Sequence, residues 1–548
     1  MTEIRKACLY FHTLRYLRPI QIWGRILLRL SRAKPDLRAG PARRPVEREW
    51  VLPAPRPVSM QSPTRFRFLN VEGEVVKPGD WNSEAFAKLW LYNLHYFDDL
   101  NTEAATERVD WHRALIHRWI EENPPGTGNG WEPYPLSLRI INWIKWHLAG
   151  NELDSRTSHS IAVQVRFLMC SLEYHILGNH LFVNAKALVF AGCFFEGKEA
   201  KAWLLKGLSI LDSEIPEQIL GDGGQFERSP MYHALAYEDM LDLVNLSQAF
   251  PAPFAALERR ATEWRKVAQG MGRWLRVMCH PDGEIAFFND AAIGIAPPPR
   301  HLFDYARRLG FPDARLNEEI FHLDSTGYIR LCKGEAVLLI DVAPIGPDYL
   351  PGHAHADTLS YELSLYGKRV LVNSGTSRYG AGPKREWERS TAAHNTIEVD
   401  GQSSSETWSA FRVARRAYPF DVSIERKGDT LIVEAAHDGF CRLAGQPIHR
   451  RRWILKDKQL EVCDTIDGKF DHANSRLYFQ PDVQIEQNES RGLILWSGHK
   501  AHWEMESPSC VLKASHWHPE FGLSIANKCM VTTISPSKPS CRFYLEWD

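Results

Sequence analysis

No Cys-x-x-Cys pair occurs among the ten cysteines, and no apolar run approaches the roughly 18 residues that cross a bilayer. Cysteines scattered in this way exclude a disulfide framework or a cysteine-built zinc site as the organising element. Neither charge sign is in excess: Lys and Arg number 66, Asp and Glu 67, and the net charge is -1. Binding to nucleic acid by bulk charge is thereby excluded, whereas a local basic groove is not. Gly221, Gly223 and Gly224 form no phosphate loop, and no Gly-x-Ser-x-Gly elbow occurs. The N-terminal stretch lacks the uninterrupted apolar core and Ala-x-Ala site of an export signal. A cytoplasmic or membrane-peripheral location is therefore expected, with the periplasm as the alternative.

The chain has 548 residues, enough for several domains. A hydrophobic fraction of 44% against 24% charged residues excludes wholesale disorder. Tryptophan is abundant, at 19 residues. Large aromatic cores account for such a number, and so does sugar stacking on indole faces. Trp81, Trp90, Trp143 and Trp146 lie on helical patterns and are expected in the core, while Trp131 lies inside a candidate motif.

Three regions follow from the pattern. Residues 1–79 begin with one or two short basic amphipathic helices, broken near Pro19, and continue as a Pro/Arg-rich arm with seven prolines between 34 and 64. The helices fit either packing on the main body or peripheral contact with a membrane surface. Residues 80–320 show apolar spacings of three and four, as in PLSLRIINWIKWHLAG and YHALAYEDMLDLVNLSQAF, which predict an all-helical domain. Residues 321–548 carry short alternating runs such as GYIRLCKGEAVLLIDVA and HRRRWILKDKQLEVCDTIDG, separated by turn signals, which predict an antiparallel β-sandwich.

Several constellations could carry chemistry. In PGHAHADTLSYELS, His353, His355 and Asp357 would share one face of an extended segment. Asn373 and His394 follow, and imidazoles with an oxygen ligand suit zinc. In GNHLFVNAKALVF, Asn179 and His180 sit at a predicted helix start, where an amide and an imidazole can hold a carboxylate. GDGGQFERSPMYH brings together Gln225, Glu227, Arg228, Tyr232 and His233; a phenol near a cation can transfer protons. NGWEPYPLSLRI offers Trp131, Tyr134 and Arg139 for an anionic sugar polymer. Asp290, in FNDAA, reads equally as structural or cleft-lining. Arg139, Arg228, Lys384, Arg385 and Arg389 supply basic residues in or beside the motifs, and Tyr379 with Arg389 completes the substrate-binding candidates.

Taken in order, GNH, ERSPMYH and the HAHAD…VNSG…AHNT series resemble the heparinase II/III-like superfamily of polysaccharide lyases over roughly residues 80–470. The resemblance implies an N-terminal incomplete (α/α) toroid followed by a C-terminal antiparallel β-sandwich, with a cleft between them. It also implies β-elimination at a uronic acid in a glycosaminoglycan, alginate or bacterial exopolysaccharide. Asn179 would hold the carboxylate, Tyr232 would protonate the leaving oxygen, and His180 or His353 would be the base. The family's His–Asp–His metal set falls on His355, Asn373 and His394. Asn373 departs from it, and a neutral amide binds a structural zinc more weakly than a carboxylate does. The expected partner is an anionic polysaccharide, not nucleic acid. Other readings are a glycan-processing or glycan-binding protein of surface-polysaccharide assembly without lyase activity, and hydrolysis through Glu227 and Asp290.

Overall fold

A computed structural model describes residues 3–30, 33–254, 258–313, 315–507 and 509–548. Residues 1 and 2 of the N-terminal helical reading, and Leu257 at the head of the LERRATEW segment, lie outside them. Two helices open the chain, Glu3–Leu14 and Pro19–Leu30, and Pro19 begins the second, where its missing N–H costs nothing. The Pro/Arg-rich stretch then lies on the body as an arm. Arg166 holds it by donating to the carbonyls of Arg38 and Ala39, and Arg44 donates to the Cys193 carbonyl. A small hairpin, Arg65–Phe68 with Val71–Glu74, ends the arm and was not foreseen from the sequence.

The helical part is an incomplete toroid. Its main helices are Lys88–Tyr96, Val109–Glu122, Pro133–Leu148, Ser155–Met169, Gly178–Phe194, Gly197–Gln218, Pro230–Ala249, Glu258–Val277 and Pro299–Arg308. Gly178–Phe194 is apolar on nearly every side and buried from Leu181 to Phe194, as a helix enclosed by others must be. Trp81, Trp90, Trp143 and Trp146 are all buried in this core, as expected of them. Close helix approach is set by small residues: a Cβ on Gly207 would stand 2.7 Å from the Ala185 carbonyl oxygen.

The helices are also tied by a buried ionic cluster. The Asp242 carboxylate accepts from Lys145 at 2.8 Å and Lys186 at 2.6 Å, and from the Tyr305 hydroxyl at 3.1 Å. Lys186 also reaches Asp239, and Glu238 receives Arg56 from the arm. Three cations thus meet these three carboxylates, and Arg56 also lies 3.8 Å from Asp98. This cluster joins Pro133–Leu148, Gly178–Phe194 and Pro230–Ala249, the last two of which carry candidate site residues at their first turns.

After the last toroid helix, the β part begins with Ile320–Leu323. All its ladders are antiparallel. A five-stranded meander runs from Ile320–Leu323 to Lys368–Leu371, and an eight-stranded sheet is centred on Ile448–Lys456, Gln459–Asp467 and Ser540–Trp547. A third sheet of four strands includes Ala473–Tyr478 and Ile397–Val399. Alternate burial along Ile448–Lys456 and Gln459–Asp467 gives each strand one apolar face. Those faces meet Leu331, Leu338, Ile340 and Leu363 of the meander around Trp453 and Trp503, which makes the sandwich core.

Replacing Asp242 with Asn should cost about 3–5 kcal/mol, because Lys145 and Lys186 lose their shared carboxylate inside the core. Chemical denaturation with a matched circular dichroism spectrum is the measurement.

Candidate active site

The site is built on Asp290, which lies on the connecting segment between Glu258–Val277 and Pro299–Arg308. Asn289 before it adopts a left-handed conformation at φ 55°, which asparagine tolerates better than most residues. That turn aims the Asn289 side chain both ways: its oxygen accepts from the His355 N–H and its amide donates to the Arg228 carbonyl. The Asp290 carboxylate, fully buried, then gathers side chains of the β part. His353 Nδ1 meets Oδ2 at 2.9 Å, His355 Nε2 meets Oδ1 at 2.8 Å, and Arg385 donates to both oxygens, the second at 2.7 Å. Burial alone would raise the Asp290 pKa, but Arg385 and the two histidines hold it well below the usual carboxylate value.

With its Nδ1–H on Asp290, His353 presents the lone pair of Nε2, which lies 3.7 Å from Glu227 Oε2. The His353 ring stacks on Tyr232, with centroids 3.8 Å apart. Tyr232 is placed by the start of Pro230–Ala249, where Ser229 caps the helix by accepting the Tyr232 N–H and Pro230 occupies the first turn. The hydroxyls of Tyr232 and Tyr379 are 3.0 Å apart. Burial, with Tyr379 and Asp290 nearby, raises the Tyr232 pKa well above normal, so the phenol keeps its proton. Glu227 is buried and neither of its oxygens has a hydrogen-bond partner among the described residues. Burial raises its pKa, which favours the uncharged carboxylic acid.

Opposite these groups is the first turn of Gly178–Phe194. Leu177 and Gly178 both have positive φ, at 70° and 58°. A Cβ at 178 would lie 3.2 Å from Glu227 Oε1, which places Asn179 and His180 beside that acid. His180 Nδ1 contacts Glu173 Oε1 at 2.9 Å; burial lowers the imidazole's pKa, but Glu173, with Glu227 and Glu132 nearby, raises it overall. Tyr134 packs on the His180 ring at 4.4 Å. The half-buried Asn179 side chain makes no hydrogen bond among the described residues.

The implied metal set gains a further candidate member. His355 Nδ1 and His394 Nε2 face each other at 3.0 Å. Their outer nitrogens are taken by Asp290 and by the Ser390 carbonyl. Burial lowers both pKa values, that of His355 to about 4, so both rings are neutral at pH 7. Two lone pairs then point at one another, an arrangement that calls for a cation between them. Asp357 supplies a carboxylate oxygen within 4.8 Å of both nitrogens. Asn373 has other partners: its oxygen accepts the Asn395 N–H and its amide faces Ser360. The donors fit a divalent ion such as zinc held by His355, Asp357 and His394. When bound, the ion supplies a cross-link beneath Asp290.

Five substrate-binding expectations are displaced. Trp131 is buried against Trp119 and Phe167, because the helical turn before Pro133 packs it inward. Arg139 is fully buried, lies on the Trp119 ring at 3.7 Å and donates to Gln164 and to the carbonyls of His95 and Gly130. Gln225 holds the turn by accepting the Glu227 N–H. Arg228 is turned away from Tyr232 and donates to the Thr326 carbonyl. Arg389 is fully buried and donates to the Ala354 and Ala410 carbonyls, pinning the His353 loop to the Thr407–Val413 hairpin. Asp290 is spent on Arg385 and two histidines, so it does not form a hydrolytic pair with Glu227. Of the basic residues beside the motifs, Lys384 alone is exposed. His180, Tyr232, His353, Glu227, Tyr134 and Tyr379 do converge, and Asn179 lies in the same helical turn as His180. Glu173 and Phe411, which packs against His353 and Tyr379, carried no signal in the sequence.

Two family models match the chain: "Heparinase II/III N-terminus" over residues 114–298 and "Heparinase II/III-like, C-terminal" over residues 315–544. Together they cover more than half of it. A heparin-sulfate lyase of Bacteroides stercoris is 27% identical over 273 residues, 44% of this chain and 38% of the relative. That of Pedobacter heparinus is 26% identical over 330 residues, 52% and 47% of the two chains. The alignment thus spans less than half of either lyase. FtsZ-localized protein C of Caulobacter vibrioides is 25% identical over 419 residues, 72% of this chain and 66% of the relative. Among solved structures, heparinase III superposes with a TM-score of 0.65 at 17% identity, covering 88% of this chain and 79% of that one. At that identity the likeness concerns the fold.

Protein purified without chelators should carry about one equivalent of a divalent metal by elemental analysis. His394→Ala and Asp357→Ala should lose it, whereas Asn373→Ala, if it folds, should retain it. Equal loss in all three would restore the His355–Asn373–His394 set.

Proposed function

Since the chain belongs to the heparinase II/III-like family, we propose that it is a polysaccharide lyase cleaving a uronic-acid-containing glycan by β-elimination. The observation that carries the reading is the stacked Tyr232–His353 pair, a protonated phenol against an imidazole whose free nitrogen is fixed by Asp290. Elimination needs three things: a neutralised carboxylate beside the acidic C5–H, a base for that proton, and an acid for the departing oxygen. His353 Nε2 is the base and the Tyr232 hydroxyl is the acid. Asn179 donates its amide to the substrate carboxylate. The uncharged Glu227 carboxyl adds a second donor there, and the charged form of His180 adds a cation.

The substrate class is an acidic glycan such as the glycosaminoglycans that the lyase relatives are named for. Arg139, Arg228, Arg385 and Arg389 are all committed inside the protein, so this cleft recognises carboxylate through Asn179, His180 and Glu227 and not through a row of arginines. A second reading is that the cleft binds a glycan without turning it over; the Caulobacter relative, which matches over a larger share of this chain than the lyases do, is not named as a lyase.

Elimination leaves a double bond conjugated to the carboxylate, so ultraviolet absorbance on heparan, chondroitin, hyaluronan, alginate and capsule polymers tests the function. Product formation supports the lyase; tight binding with no absorbance change supports the second reading. Tyr232→Phe should lower kcat by about 10²–10⁴-fold without weakening substrate binding. Wild-type activity in that variant would remove Tyr232 from the mechanism. The sign of the pH dependence follows from Glu227. Activity is present while Glu227 is protonated and falls as pH rises through its elevated pKa, because the carboxylate repels the uronate. Glu227→Gln keeps the donor and should abolish that alkaline limb in the pH–kcat/KM profile.

A further inference from the structure

The helix Pro19–Leu30 is packed on the protein in an inverted way. Its only buried side chain is Gln21, whose amide faces the carbonyls of Tyr349 at 3.3 Å and Ile176 at 3.4 Å. One turn on, Gly24 lets the backbone approach His175, where a Cβ would stand 2.9 Å from the backbone nitrogen. The docked face thus centres on a polar and a small residue, with Leu28, 50% exposed, beside them. Six other large apolar residues point the other way. Ile20 is 44% exposed, Ile22 50%, Trp23 61%, Ile26 42%, Leu27 46% and Leu30 78%. At 100° per residue these six occupy an arc of about 160° opposite Gln21, and Arg29 and Arg25 follow along one of its edges. The preceding helix repeats the arrangement: Leu9 is its buried residue, while Ile4 and Phe11 are 85% and 65% exposed on the far side.

Water is a poor solvent for such a face, and packing within the chain does not explain it. Its surroundings say what does. From Ile4 to Lys34 the sequence holds no acidic residue, against Arg5, Lys6, Arg15, Arg18, Arg25, Arg29, Arg32 and Lys34. Twelve residues make a helix of roughly 18 Å, too short to cross a bilayer but suited to lying in its headgroup region. Trp23 beside basic residues is the chemistry of that interface. We propose that Pro19–Leu30 is an interfacial anchor that inserts its apolar face into an anionic lipid surface. Its docking carbonyls, Ile176 and Tyr349, precede Asn179 and His353 by three and four residues, so the anchor sits on the rim of the cleft and holds that rim at the membrane. The proposal does not rest on the lyase reading.

The test is co-sedimentation of the full chain with vesicles of phosphatidylcholine alone and of phosphatidylcholine with phosphatidylglycerol. The wild type should pellet with the anionic vesicles and be released in part by high salt. A variant combining Ile22→Ser, Trp23→Ser and Leu27→Ser should bind at least about tenfold more weakly. Arg25→Ser and Arg29→Ser should each cost on the order of fivefold on anionic vesicles and little on neutral ones. These side chains are exposed, so unfolding temperatures should match the wild type and separate lost binding from lost folding. Failure of the wild type to pellet with either vesicle overturns the proposal, as does equal binding by the triple variant. A concentration-dependent dimer that the triple variant abolishes, without vesicle binding, would assign the face to a second copy of the chain instead.

Discussion

One carboxylate organises the site. Asp290 leaves the helical half on a short connecting segment and is buried among groups of the other half: His353, His355, Thr376 and Arg385. Its own backbone joins the two as well, since its N–H donates to the His353 carbonyl and its carbonyl accepts from Ser229. Ser229 caps the helix that carries Tyr232. The acid and the base of the proposed reaction therefore depend on one residue, through bonds that cannot form unless toroid and sandwich are correctly docked. Burying this charge without partners would be prohibitive, so the same contacts that make the site also make the interface.

A second layer keeps that hub rigid. Arg389 fastens the loop bearing His353 to the Thr407–Val413 hairpin, whose Phe411 packs against His353 and Tyr379. His394, Asp357 and His355 form the layer beneath, where a divalent ion fits. On the opposite wall, the Asp242 cluster locks the toroid helices whose first turns present Asn179 and Tyr232. Rigid elements on both sides suit a reaction that needs base and acid within one sugar's width of each other.

The order of helices and then sheets was legible because each has its own apolar period, and the periods change near residue 320. The side chains gathered at the candidate site were legible as a set, because Asn-His, ERSPMYH and HAHAD are short and chemically dense. What misled was the assumption that arginine and tryptophan near a motif face the substrate. Arg139, Arg389 and Trp131 are each within a few residues of the cleft, yet backbone carbonyls that no sequence pattern reveals claim the arginines, and a turn places Trp131 inward. Asp290 could not be ranked for the converse reason: its partners come from about 60 to 95 residues away. Asp357 stands with the paired imidazoles on a loop, the grouping with His355 that an extended segment also predicts.

The electrostatic balance of the hub bears on the chemistry. A lone buried carboxylate behind His353 would make the imidazole more basic, and it would also repel an acidic sugar. Arg385 cancels that charge with a bidentate contact, so Asp290 orients the ring without adding a negative potential to the cleft. Glu227 is handled differently: its oxygens accept no hydrogen bond from the described residues, and burial outweighs the nearby His353 and His180 to raise its pKa. His180 has Glu173 behind it and can carry the compensating positive charge. Of the cleft's buried carboxylates, Asp290 is thus paired and Glu227 is shifted toward its protonated form. That condition would serve the proposed elimination, since the C5 proton of a uronate becomes removable only as the neighbouring carboxylate loses its charge.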